Sequence, residues 1–259
     1  MLSFFIFAAL AYGGASFAFG AATDPSKPRW PRILLAAAAL LHVATIGAQC
    51  VDGFHPLQNV YLAMSGGALL AVLGFLGLSA VRRPMRALGA VLAPAGLIGL
   101  TVGVVLGPGR AGAGTPIPGM LKAHIASATL GVAGFALAAG VAGLYLAKER
   151  RLRSKSFRPE QGGMSLTGLE RLHYWLVLSM TPIFTLAIVT GALHMVGEGH
   201  DAWRDRPIEV GVSLVAWLAS VIALGSRAIW GVRGRGAALL TFLAFAAMLI
   251  VVITYGVRS

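Results

Sequence analysis

Cysteine is almost missing from this sequence. Cys50 is the only one in 259 residues, so no intrachain disulfide can form, and no C-x-x-C-H is present to attach a haem covalently in the c-type manner. Acidic residues are scarce as well. Nine Asp and Glu stand against 21 Lys and Arg, and charged residues make up 12% of the chain, about half the share usual in a soluble globule. Too few polar side chains remain to cover a water-facing surface, which excludes a secreted or cytosolic globule. Disorder is excluded too, because nothing is polar enough to stay solvated. No G-x-x-x-x-G-K-[ST] loop is present to cradle phosphates, so the chain does not power transport itself. H-x-x-x-H, H-E-x-x-H and Cys/His clusters with zinc spacing are also missing. The acids lie mostly in loops, which leaves Ser-His-Asp and paired-carboxylate catalysis without support. The chain reads as a non-enzyme.

What fills the sequence instead is apolar. Hydrophobic residues reach 57% and the mean hydropathy is +0.80, while 34 Gly and 12 Pro are spread through the apolar runs, as in membrane helices. A spanning helix needs about 20 mostly apolar residues. Eight such stretches occur, at roughly 2–21, 33–50, 59–80, 87–107, 123–147, 174–196, 208–226 and 236–256. The expected fold is therefore all-α, a polytopic membrane helix bundle forming a single domain over 1–259. The first span starts Met1-Leu2-Ser3-Phe4-Phe5 with no positive leader, so it is expected to be a retained helix.

Charge sets the orientation. Loops after the odd-numbered spans hold 16 of the Lys and Arg, including Lys148, Arg150, Arg151, Arg153, Lys155, Arg158 and Arg171, whereas the opposite side holds five: Arg110, Lys122, Arg204, Arg206 and Arg258. The positive-inside rule then puts both termini outside and the 148–172 loop in the cytoplasm. It also accounts for the net charge of +12 without any nucleic-acid partner; the lipid bilayer is the partner this pattern implies.

Ionisable groups inside spans are costly and are functional candidates by default. His42 lies near mid-depth of the second span with no carboxylate within four residues. A neutral imidazole there offers a lone pair that suits haem iron; a hydrogen bond to a carbonyl or hydroxyl on another helix would satisfy it equally. His124 opens the fifth span and His194 nearly closes the sixth, both at the outer boundary, with His55 and His200 in outer loops and His173 alone on the cytoplasmic side. Glu198, Asp201, Asp205 and Glu209 cluster outside among Trp203, Arg204 and Arg206, either a solvated loop or a binding segment. Gly99, Gly103 and Gly107 form a stripe for close helix approach, Gly131, Gly134, Gly140 and Gly143 dot the fifth span, and Pro94 and Pro182 are candidate kinks.

Three stretches together resemble a known family. The first is Leu41-His42 followed by Gly53-Phe54-His55-Pro56-Leu57-Gln58-Asn59-Val60-Tyr61. The second runs from Ala123-His124-Ile125 to Leu144-Tyr145-Leu146-Ala147-Lys148-Glu149-Arg150. The third runs from Leu169-Glu170-Arg171-Leu172 through Thr190-Gly191-Ala192 to Gly231-Val232-Arg233-Gly234-Arg235. Their order among eight spans is similar to the cytochrome c assembly family of haem-handling membrane proteins, which includes the CcsA/ResC and CcmC types. Its tryptophan-rich outer segment is represented here by Trp203-Arg204-Asp205-Arg206-Pro207-Ile208-Glu209, with one tryptophan, and Val232 stands where the family has another. The chain therefore looks like a reduced, HemX/YpjD-like member.

The resemblance implies a non-catalytic protein of the bacterial inner membrane that binds haem non-covalently, b-type, during cytochrome c maturation or haem handling. Its partners would be other cytochrome c assembly or haem-synthesis proteins. By position His124 matches the family's outer histidine and is the expected axial ligand, with His194 or His42 as the second. Trp203 would stack on the macrocycle, and Arg204, Arg206, Arg110 or Lys122 would neutralise its propionates. Two other readings fit the composition: a membrane scaffold that recruits a partner through the basic loop without haem, and a permease component using Thr45, Gln49, Asn59 and His42.

Overall fold

A computed structural model describes residues 1–21, 29–81, 85–108, 118–154, 164–198, 204–229, 231 and 234–258. Among them every long element is an α-helix: α1 (Leu2–Ala21), α2 (Arg29–Val51), α3 (Val60–Val81), α4 (Arg86–Val105), α5 (Gly119–Arg153), α6 (Leu166–Glu198), α7 (Pro207–Ile229) and α8 (Arg235–Arg258). All eight are long and apolar enough to cross a membrane, with mean hydropathy between 1.7 and 2.7 over their best windows. In hydrocarbon each backbone N–H and C=O must be paired within the protein, and a helix does that within one segment. Large apolar side chains such as Leu10, Phe17 and Leu40 point outward, whereas the interior holds polar Ser, Thr, Gln and His side chains among its Ala, Leu and Phe. That inside-out distribution belongs to an integral membrane protein, as the composition predicts.

Helix ends follow local chemistry. Asn59 caps α3 by accepting the Leu62 N–H at 2.9 Å, and Pro207 occupies the first position of α7, where its missing N–H costs nothing. Past the end of α2, Gly53 takes φ +89°, and the Phe54 N–H returns to the Gln49 carbonyl at 2.8 Å, a left-handed C-terminal cap. Sequence periodicity underestimates α5 and α6, which run to 35 and 33 residues. At 1.5 Å per residue α5 is about 52 Å long, well beyond a hydrocarbon core of about 30 Å. Its extension, Lys148-Glu149-Arg150-Arg151, consists of good helix formers and carries a Glu149–Arg153 pair at 2.8 Å. Pro94 and Pro182 both lie inside continuous helices.

Contacts gather into two compact units, residues 1–114 with 148–166, and residues 115–147 with 167–259. In the first, α1 packs on α2 and α4, and α3 on α2 and α4. The glycine stripe of α4 does what its spacing predicts: a Cβ at Gly99 would collide with the Ala68 Cβ, and one at Gly103 with Ser65. Close approach of this kind replaces the hydrophobic drive that lipid cannot supply. Basic residues seal helix ends, with Arg86 donating through Nε and Nη2 to the Phe19 carbonyl at 3.2 and 3.1 Å and Arg32 to the Ser79 carbonyl at 2.7 Å. Polar side chains of α2 and the following turn brace the bundle. Gln49 donates to the Gly103 carbonyl at 3.2 Å and Asn59 to the Gly107 carbonyl at 2.8 Å. The residues a permease would turn towards a pore are here spent on packing.

The second unit is built on a core of Phe135, Phe184, Ala187, Ala216, Ala219, Ala244, Ala247 and Met248, with Phe135 and Phe184 edge to face at 6.1 Å. Trp217 donates to Thr185 Oγ1 at 3.0 Å, tying α7 to α6. His173, expected at the cytoplasmic interface, is buried and meets Thr241 Oγ1 at 2.9 Å. Gly231 and Gly234 take φ +63° and +66° between α7 and α8, where L side chains are strained.

Candidate functional site

The strongest constellation lies in the second unit, where α5 begins and α6 ends. His124 is the sixth residue of α5, half-buried, and its Nδ1 lies 2.8 Å from the Ala187 carbonyl of α6. A carbonyl only accepts, so Nδ1 carries the proton and Nε2 keeps its lone pair. The accepting residue is itself fixed, because Ala187 is 1% exposed within the aromatic core. Ser127, one turn along α5, returns its hydroxyl to the Ala123 carbonyl at 2.7 Å, so it does not compete for the ring.

Residues 187, 191 and 194 recur at helical spacing and share one face of α6. His194, half-buried, lies one turn along α6 from Gly191, the position that faces the His124 ring. Two histidines that the sequence separates by seventy residues thus lie at the same end of one unit. Metal-bound histidines usually donate their second ring nitrogen to a carbonyl or carboxylate, which orients the ring and sets its tautomer. His124 already has that arrangement. Among the described residues no group of three or more His, Cys, Asp and Glu gathers around a metal. A porphyrin supplies its own four nitrogens and asks the protein for one or two ligands, a demand that the lone pair at His124 Nε2 fits.

The other expected site residues are placed differently. His42 is fully buried in the first unit, with the Tyr12 hydroxyl 3.1 Å from Nδ1 and the Ser65 hydroxyl 2.9 Å from Nε2. Both ring nitrogens are therefore engaged, in the hydroxyl-bonded state that competes with ligation. Tyr12 also sits edge-on to the ring at 5.8 Å. His55 accepts the Leu57 N–H at Nδ1 at 3.1 Å, which puts its proton on Nε2. Arg204 and Lys122 are exposed, and Arg206 stacks on the Tyr255 ring at 5.8 Å. Trp203, Arg110, His200 and Asp201 fall outside the described residues.

Two features were not legible in the sequence. One is the use of a main-chain carbonyl, Ala187, to orient His124. The other is an ion pair joining the start of α7 to the end of α8, where Arg258 Nη1 lies 2.9 Å from Glu209 Oε1. Glu209 is 5% exposed, so removing Arg258 leaves a buried carboxylate unpaired. Because the Arg258 side chain is half exposed, solvent recovers part of the loss. R258A is expected to cost about 1–3 kcal/mol, read from thermal melting in detergent, and E209Q in the same chain should restore most of it.

A membrane protein of eight described helices, with an imidazole oriented by a main-chain carbonyl where α5 begins, is the class these observations define. Comparison with known sequences adds the family: the profile described as "Cytochrome C assembly protein" matches residues 63–259. The chain belongs to the cytochrome c assembly protein family, and its role lies in cytochrome c maturation or haem handling. No curated protein and no solved structure matches it. The match begins inside α3. His124, His194 and Gly191 fall within it, whereas Tyr12, His42 and His55 precede it.

Proposed function

We propose that this protein binds haem non-covalently at the end of the second unit, with His124 as axial ligand through Nε2 and His194 as its companion. It acts as a haem-handling component of cytochrome c maturation, without catalysis of its own. The observation that carries the reading is the His124 Nδ1–Ala187 carbonyl bond, which leaves one nitrogen of a half-buried imidazole available at the end of the unit that also holds a second histidine. The charge pattern supports an extracytoplasmic location for this end, in the inner membrane of a bacterium. The single outer tryptophan of the 203–209 stretch supports a reduced, HemX/YpjD-like subtype.

Each part of the chain has a defined task. His124 would ligate through Nε2, and the Ala187 carbonyl holds its ring and tautomer. Arg204 and Arg206 offer positive charge to propionates at the membrane boundary. Bound iron porphyrin supplies the redox chemistry and the covalent attachment points; the protein supplies ligation and orientation. Other assembly or haem-synthesis proteins would deliver and receive the group. Absorption spectroscopy tests the proposal. Purified protein titrated with haem should develop a Soret band distinct from that of free haem, and a spectrum that stays that of free haem overturns it.

A further inference from the structure

Resting on the haem reading above, we infer that Gly191 is a positioning residue: its missing side chain is the seat of the His124 ring, and it thereby decides which imidazole nitrogen is offered to iron. A Cβ built at position 191 would lie 2.8 Å from both Cε1 and Nδ1 of His124, and 3.6 Å from Nε2. Real Cβ atoms do not approach so closely. The collision falls on the Nδ1–Cε1 edge of the ring, with Nε2 left at contact distance. The atoms struck are Nδ1, which bonds to Ala187 at 2.8 Å, and its neighbour Cε1. A side chain here requires the His124 ring to shift at the very edge that bonds to the Ala187 carbonyl.

The alternative, that Gly191 merely allows helices α5 and α6 to approach, meets a specific difficulty. The three atoms nearest to a Cβ at this position all belong to the His124 ring, and none is a backbone atom of α5. Gly131, by contrast, faces Phe184 at 3.4 Å, ordinary contact distance, and a Cβ at Gly134 would overlap Met180. Those two pack helices; Gly191 houses an imidazole. In a helix interior alanine is the better helix former, so glycine at this place is explained by the ring and not by local helix stability.

Two readouts test the inference, one of which needs no haem. First, nitrogen NMR of histidine-labelled protein should find His124 protonated at Nδ1 in the parent chain and no longer so in G191A. Second, haem affinity should fall about 10–100-fold in G191A, the usual cost of losing an outer partner of a metal ligand. The control is the same substitution in an H124G background supplied with free imidazole. A free imidazole has no tether and can shift, so G191A should change its haem affinity little. The H124G/G191A chain should also fold even where G191A alone does not, because the colliding ring is gone. An unchanged His124 tautomer, or equal losses with tethered and free imidazole, overturns the inference. A parent chain that binds no haem overturns the proposed function instead, and the tautomer measurement still decides the role of Gly191.

Discussion

Replacing His124 by alanine is expected to abolish the haem-dependent Soret band, with a loss exceeding the roughly 10–100-fold that follows from disturbing an outer partner. The same change at the other histidines should rank in a defined order. H194A should leave a weaker complex with an altered ligand field, because one axial imidazole remains. H55A should change nothing, since its Nδ1 already accepts the Leu57 N–H at 3.1 Å and its outward nitrogen bears a proton. The ranking rests on tautomers: iron takes a lone pair, and the carbonyl that holds the His124 proton on Nδ1 leaves that lone pair at Nε2. Spectra of the purified variants, normalised to folded protein by size-exclusion chromatography, give the order directly. Equal spectra for H124A and the parent chain would remove His124 from the site.

The second large effect falls on stability. H42A deletes a fully buried ring that links α1 to α3 through Tyr12 at 3.1 Å and Ser65 at 2.9 Å. It leaves a cavity and two hydroxyls without their partner. Individual hydrogen bonds inside membranes contribute modestly, on average about 0.6 kcal/mol, so the cavity and the stranded hydroxyls dominate, together about 2–4 kcal/mol. Melting of the detergent-solubilised protein should show this as a clear drop in midpoint. The Soret band of whatever folds should be unaltered, which separates a structural histidine from a ligating one. Y12F removes one bond and keeps the ring packing, so its cost should be near 1 kcal/mol. A loss of haem signal in folded H42A would return His42 to the ligand set.

His42 shows why the sequence could not settle its own best candidate. A histidine in an apolar helix is conspicuous because burial of a polar ring must be offset by hydrogen bonds or a metal. Which of these does so depends on Tyr12 and Ser65, thirty residues before it and twenty-three after it, and no local pattern marks them as its neighbours. His124 poses the same problem. Its position at a helix end is visible in the hydropathy profile, but its bond to the Ala187 carbonyl depends on how α5 and α6 pack.

Composition and periodicity alone determined the eight membrane helices, because lipid leaves a backbone only one way to pair its own polar groups over 20 or so residues. The α4 stripe at Gly99 and Gly103 was legible for a similar reason, since fourfold spacing lays small residues along one helix face. Tertiary structure decided everything that depends on direction: the extra turns of α5 and α6, the pairing of Glu209 with Arg258, and the seat of His124 against Ala187 beside Gly191. The physical reason is that a hydrogen bond is short and oriented. Hydropathy averages over a window and carries no angle, so it can place a histidine at a boundary without saying which nitrogen faces the protein.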